Sequence, residues 1–161
     1  MNLRLTAALG SRFFLALALA IIWTPAADAR TTIIDDAGSQ ALAPEVTLRF
    51  KSVAPPRHGR DNRMTGTMTL RAHLNVTPWL RKHARIYLSL PAQAPGPLTA
   101  RWSTQGRFAA GEVTSGNRVL VYSGPITTPF LEDVMTFEFS VDGSVVRRPF
   151  PVTFHFEMDE D

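Results

Sequence analysis

Between Thr77 and Pro91 the chain reads TPWLRKHARIYLSLP, which sets Trp79 just ahead of Arg81, Lys82, His83 and Arg85. Guanidinium forks match the oxygens of phosphate and carboxylate, a lysine ammonium adds a point charge, and an indole offers a flat face to a sugar or a base. The preceding segment contributes Arg57, His58, Arg60 and Arg63. Brought together, these residues make a candidate anion-binding patch with Trp79 as its stacking surface. The partner such chemistry implies is an acidic glycan, a lipid phosphate or an acidic protein in the cell envelope. The competing reading is architectural. Thr77 offers a hydroxyl cap, Pro78 suits the first helical position, Trp79 and Leu80 fold back on a core, and the charges face water. In that case TPWLRKHA is one helical turn bridging two strands and crossing from one sheet to another.

Catalytic sets are harder to assemble. The four histidines are His58, His73, His83 and His155, and none has the spacing of a zinc protease. His73 and His155 fall on outward positions of two strands and meet only if those strands pair. His58 and Asp61 place a base and a carboxylate in one loop with nothing to orient a nucleophile, and no G-x-S-x-G elbow is present. Glu132 and Asp133 are adjacent on a strand, where successive side chains point apart, so they form a poor carboxylate dyad. The chain has no cysteine, which removes thiol chemistry, thiolate metal sites and disulfides together. The expectation is a non-catalytic protein with no cofactor and no metal.

The elements that must position these residues follow a period of two. VTLRF sets Val46, Leu48 and Phe50 on one face. TMTLRAHLNV sets Met68, Leu70, Ala72, Leu74 and Val76 inward, and RIYLSL does the same with Ile86, Leu88 and Leu90. LTARW offers Leu98, Ala100 and Trp102. VMTFEFSV offers Met135, Phe137, Phe139 and Val141, and VTFHFEM offers Val152, Phe154, Phe156 and Met158. RVLVY is apolar on both faces and suits a central strand. Alternation of this kind gives antiparallel sheets with one face in a core and one in water. Asp142-Gly143 is a hairpin signal, Ser115 to Asn117 a second turn, and Pro55-Pro56, Pro91 to Pro97 and Ser123 to Pro129 mark loops. The expected fold is an all-β, antiparallel immunoglobulin-like sandwich of about seven strands over residues 46–161. Pro149 and Pro151 delay pairing of the last strand to near Val152, and EMDED closes the chain as an acidic tail.

Residues 1–29 read as a signal peptide: Arg4 and Arg12, an apolar run from Phe13 to Trp23, Pro25, then Ala27-Asp28-Ala29. Cleavage after Ala29 leaves 132 residues, periplasmic or secreted, without a transmembrane span. Residues 30–45 form a mobile lead-in to the sandwich. Charge is unevenly spread. Residues 49–107 hold eleven bases and one acid, and residues 108–161 hold three bases and nine acids. That asymmetry fits an anionic partner, or two halves that neutralise each other once folded. A processed charge of +2 gives no expectation of nucleic acid. Besides a binding or assembly module, the pattern fits a surface-polymer subunit completed by strand exchange. There Thr31 to Ile34, or the proline-flanked last strand, pairs with a neighbouring chain.

Overall fold

A computed structural model describes residues 30–42, 48–50, 62–92, 96–148 and 150–160. The expected signal peptide and the loop holding Arg57, His58, Arg60 and Asp61 lie outside the described residues. Within them the chain forms strands β1 (Thr31–Ile33), β2 (Gln40–Ala41), β3 (Arg49–Phe50), β4 (Arg63–Asn75), β5 (His83–Leu90), β6 (Leu98–Thr104), β7 (Gly111–Thr114), β8 (Asn117–Pro125), β9 (Phe130–Asp142) and β10 (His155–Glu160). Among the described residues the one helical element is a single 3-10 turn at Thr77–Trp79. Among the described residues no helix is long and apolar enough to cross a membrane.

Two antiparallel sheets pack face to face. One has the order β1-β10-β5-β8, and the other runs β2-β4-β9-β6-β7 with β3 also on β4. Four central strands interlock. β4 and β9 pair in one sheet, β5 and β10 in the other, and the chain changes sheets from β4 to β5 and again from β9 to β10. Immunoglobulin-like sandwiches share this central arrangement of their second, fifth, third and sixth strands. The last strand of that plan lies beside the sixth, and here its place beside β10 is taken by β1, from the start of the chain. Seven strands, β4 to β10, make the body. β1, β2 and β3 are short edge pieces. The segment expected to lead into the domain therefore takes part in it: β1 sits in one sheet, β2 in the other, and Ile34 between them is buried.

The inward positions of the alternating runs form the core. Leu70, Ala72, Leu74, Val76, Ile86, Leu88, Leu90, Leu98, Ala100, Trp102, Met135, Phe137, Phe139, Val141, Phe156 and Met158 are all buried. Its centre is aromatic. Phe137 stacks on Phe139 at 5.7 Å and on Phe154 at 5.3 Å, and Phe108 and Phe156 lie 6.1 Å apart. Such offset pairs contribute about 0.5–1.5 kcal/mol each beyond the area they bury.

Four local expectations give way to tertiary constraints. Asp142-Gly143 makes a turn, not a hairpin: both edges of β9 are already taken by β4 and β6, so the chain must leave the sheet. RVLVY forms β8 at a sheet edge. A bulge between the Ile86 and Tyr87 pairings inserts Val121 as an extra residue, so Val121 and Tyr122 both turn inward while Leu120 is exposed. Phe50 is exposed as well, because β3 is a two-residue edge strand that lays the ring over Gly143. Regular pairing of the last strand begins at His155, three residues later than expected. Prolines at 149 and 151 cannot donate to a ladder, and Phe154 reaches the core without joining one. The expected acidic tail is not free. Glu157, Asp159 and Glu160 belong to β10.

Candidate functional site: the Thr77–Arg85 end of the sandwich

The run TPWLRKHAR carries the chain from the end of β4 to the start of β5, and so from one sheet to the other. β4 ends as Val76 buries its side chain and donates its N–H to the Pro129 carbonyl at 2.8 Å. Pro78 sits in the first turn, but the expected Thr77 cap is absent. The cap position is Val76, no side chain caps the turn, and the Thr77 hydroxyl donates to Pro129 O at 3.4 Å. With three residues in the turn, few orphan donors need a cap. Trp79 closes the end of the core: it is buried, and its Nε1–H donates to Glu160 Oε1 at 2.8 Å.

The next residue but one is strained. Arg81 has φ = 67°, in the left-handed region that bulky L-residues avoid at a cost of about 1–2 kcal/mol. It is held there from both sides. The Arg81 N–H donates to Ile126 O at 2.8 Å, the Lys82 N–H to Trp79 O at 3.0 Å, and the Ile126 N–H to Lys82 O at 2.9 Å. Ile126 is itself fully buried. The backbone is thus fixed by the core while the Arg81 side chain is directed into solvent.

Lys82 and His83 flank a depression of about 270 Å³ with Trp79, Ala84 and Glu160 on its walls. Lys82 Nζ lies 3.7 Å from Glu160 Oε2, so one carboxylate receives both the indole N–H and the ammonium. Arg85 is half-buried on the outer face of its sheet, in register with Asp159, whose carboxyl it helps to keep ionised by its charge. The basic run divides accordingly. Lys82 and Arg85 face carboxylates of β10; Arg81, Lys82 and His83 are exposed, and Arg85 is half-buried.

Arg63 does not join this group. It begins β4, twelve residues from Asn75, and a strand rising about 3.3 Å per residue puts the two ends roughly 40 Å apart. It lines a larger groove of about 610 Å³ on the outer face of the other sheet, with Asn62, Thr65, Arg101, Glu112 and Glu138. The charges there are largely matched. Arg101 donates twice to Glu112 Oε2, at 2.9 and 2.6 Å. Arg57, His58 and Arg60 lie outside the described residues.

Two histidines pair with nearby glutamates. His73 Nδ1 is 2.7 Å from Glu132 Oε1, with its ring stacked on Phe130 at 4.6 Å. His155 Nε2 is 2.8 Å from Glu157 Oε1. The two histidines belong to different sheets and do not meet. Asp133 points away from its neighbour Glu132, as strand geometry requires. It is buried and accepts N–H groups from Gln105 and Phe108 at 3.2 and 2.8 Å, holding the β6–β7 connection. Among the described residues no cluster of three His, Asp or Glu side chains could hold a metal ion.

Sequence reasoning did not single out Glu160 and Arg118. Arg118 reaches across the face of Tyr87, at 4.3 Å from the ring centre, to Asp159 and Glu157. The alternation of His155, Glu157 and Asp159 puts all three on one face, and that is the signal that could have placed them opposite bases. Comparisons with protein-family models, with curated proteins and with solved structures find nothing that matches this chain.

Proposed function

We propose that the protein is an exported, non-catalytic binding or assembly module of the cell envelope, and that the end carrying the Thr77–Trp79 turn is its recognition surface. One observation supports this most: Arg81, a non-glycine residue fixed at φ = 67° by three backbone hydrogen bonds, with its side chain directed outward. A strained residue persists where the surrounding structure over-determines it, and such positions gather at sites that do something. His83 is exposed beside it, and the Trp79–Lys82–Glu160 depression lies alongside. An outward guanidinium on a rigid backbone suits an anionic partner, a lipid phosphate or an acidic glycan. Flotation with anionic and neutral vesicles over a salt series tests it. Binding to anionic vesicles that falls with salt and is lost in Arg81→Glu supports the reading. Equal behaviour of Arg81→Glu and wild type removes it.

A second reading is favoured by a separate observation, the position of β1 where an immunoglobulin-like sandwich has its last strand. A strand supplied from the start of the chain can be supplied by a neighbour instead, which makes the protein a polymer subunit completed by strand exchange. Oligomers that vanish when residues 30–44 are deleted support this. A monomer unaffected by the deletion ends it.

A further inference from the structure

The two ends of the basic run and the charged groove leave one surface unexplained, the outer edge of β1. Its ladder with β10 pairs Thr31 with Asp159, Thr32 with Met158 and Ile33 with Glu157. On either side, the Ile34 N–H donates to Phe156 O at 2.8 Å and the Glu160 N–H to Arg30 O at 3.4 Å. Even-numbered residues therefore turn their backbone groups toward β10. Antiparallel alternation then directs the N–H and C=O of Thr31 and Ile33 the other way. Among the described residues β1 is the last strand of its sheet, so these four groups face outward. Ile33 adds an exposed apolar side chain, 66% accessible. The edge lacks the devices that usually block edge pairing, having no lysine, proline or bulge within it.

The occupant follows from the sequence of the edge itself. It reads Arg30-Thr31-Thr32-Ile33-Ile34-Asp35-Asp36, basic at one end and acidic at the other. Laid antiparallel against itself about Thr32, it pairs Thr31 of each copy with Ile33 of the other through four hydrogen bonds. In this register each Arg30 lies opposite Ile34 of the other chain, two residues short of its Asp36, and each Ile33 side chain covers Thr31 of its neighbour. The edge is then complementary in its backbone groups to a second copy of itself, with the basic residue of each copy toward the acidic end of the other.

We infer that two copies of the protein associate through β1 about a two-fold axis at Thr32, joining their β1-β10-β5-β8 sheets into one continuous sheet. The inference rests on the backbone directions of β1 and its exposed Ile33, and not on either functional reading above. It differs from strand exchange because each β1 stays on its own β10.

The chain contains no cysteine, so Thr32→Cys gives a single-thiol probe. The two positions face each other as a non-hydrogen-bonded pair, with Cα atoms about 4.5 Å apart, inside the disulfide window of about 4.4–6.8 Å. The exported full chain is followed by sedimentation over a concentration series and by mild oxidation. The expected result is a concentration-dependent dimer that Thr32→Cys locks covalently, while a control Thr127→Cys does not. Ile33→Pro removes an outward N–H without touching the bonds to β10, and Ile33→Lys places like charges across the axis. Each should weaken the dimer roughly tenfold or more with an unchanged far-UV spectrum. A monomer at all concentrations overturns the inference. So does a dimer that Ile33→Lys leaves intact and Thr32→Cys cannot lock, which is the outcome of strand exchange.

Discussion

Arg118 and Asp159 meet fork to fork across the outer face of their sheet, Nη1 to Oδ1 at 2.8 Å and Nη2 to Oδ2 at 3.0 Å. The carboxylate is almost fully covered and also accepts the Thr31 hydroxyl at 2.8 Å, so one residue ties together β8, β10 and β1. The hydrogen bonds from Arg118 hold the Asp159 carboxyl below its ordinary 3.8, against the opposing effect of burial and with help from Thr31 and the charge of Arg85. For Glu157 burial resists ionisation, but hydrogen bonds from His155 and Ser89, with Arg118 nearby, keep it below its ordinary 4.5.

These two lowered carboxyls give an acid limb to stability. A group depressed on folding contributes fully above its unfolded pKa and loses that contribution as the pH falls through its folded value. The contribution is whole above about pH 5 and fades as the pH drops below 3.8. Asp159→Asn should cost about 2 kcal/mol near neutral pH, from the lost charge-assisted bonds, and less in acid, where the wild type loses the same interaction. Urea midpoints measured from pH 7 down to pH 3 check this. A mutant curve parallel to wild type contradicts it.

Trp79 is both a plug and a donor, and the two roles separate by substitution. Trp79→Phe keeps most of the buried ring but leaves Glu160 without its 2.8 Å partner, a loss of about 1 kcal/mol. Trp79→Ala opens the end of the core and should cost about 3–5 kcal/mol. Denaturant unfolding of both variants gives the ratio. Equal losses would mean that the ring contributes little beyond its hydrogen bond.

Much of this architecture is legible in the residues. The period of two located the inward faces of β4, β5, β6, β9 and β10, because a side chain on the wrong face of a half-buried strand meets water. It could not reveal which strands pair. Asp142-Gly143 looks like a hairpin locally, yet the neighbours of β9 are set by strands distant in sequence. The ends of the chain misled for a similar reason. Thr31 to Ile33 are too few to register as a strand, and Glu157 to Glu160 look like a solvated tail until β10 lies beside β5 and sets Asp159 opposite Arg85. The candidate site was legible as a crossing turn with a tryptophan plug. That Lys82 and Arg85 meet carboxylates of β10 depends on a long-range register that composition does not encode.

Arg81 offers a test that separates conformation from charge. Glycine reaches φ = 67° without the steric cost that a Cβ brings. Arg81→Gly should therefore be at least as stable as wild type, and more stable than Arg81→Ala by about 1 kcal/mol, although both lack the guanidinium. Thermal unfolding of the pair checks the sign. Alanine matching or exceeding glycine would mean that the turn relaxes out of the left-handed region and exerts no strain.

Ile34 is where the first strand is fastened to the rest of the fold. Its side chain is 2% exposed, between exposed neighbours Ile33 and Asp35, and its N–H bonds to Phe156 O across the ladder. Without it β1 would keep three ladder pairings and the Thr31–Asp159 bond, little to offset the entropy of ordering an edge segment. Ile34→Ala should lower global stability by about 2–4 kcal/mol. The loss should also be uneven. Amide exchange at Thr32 should accelerate more than at Leu70 or Phe137, which lie in the long β4–β9 pairing, because local opening of an edge requires fewer contacts to break than opening of the centre. Exchange measured by NMR on wild type and Ile34→Ala reads both effects. Uniform acceleration across Thr32, Leu70 and Phe137 would show that β1 opens only with the whole sandwich, and that the first strand is as integral to it as β4 or β9.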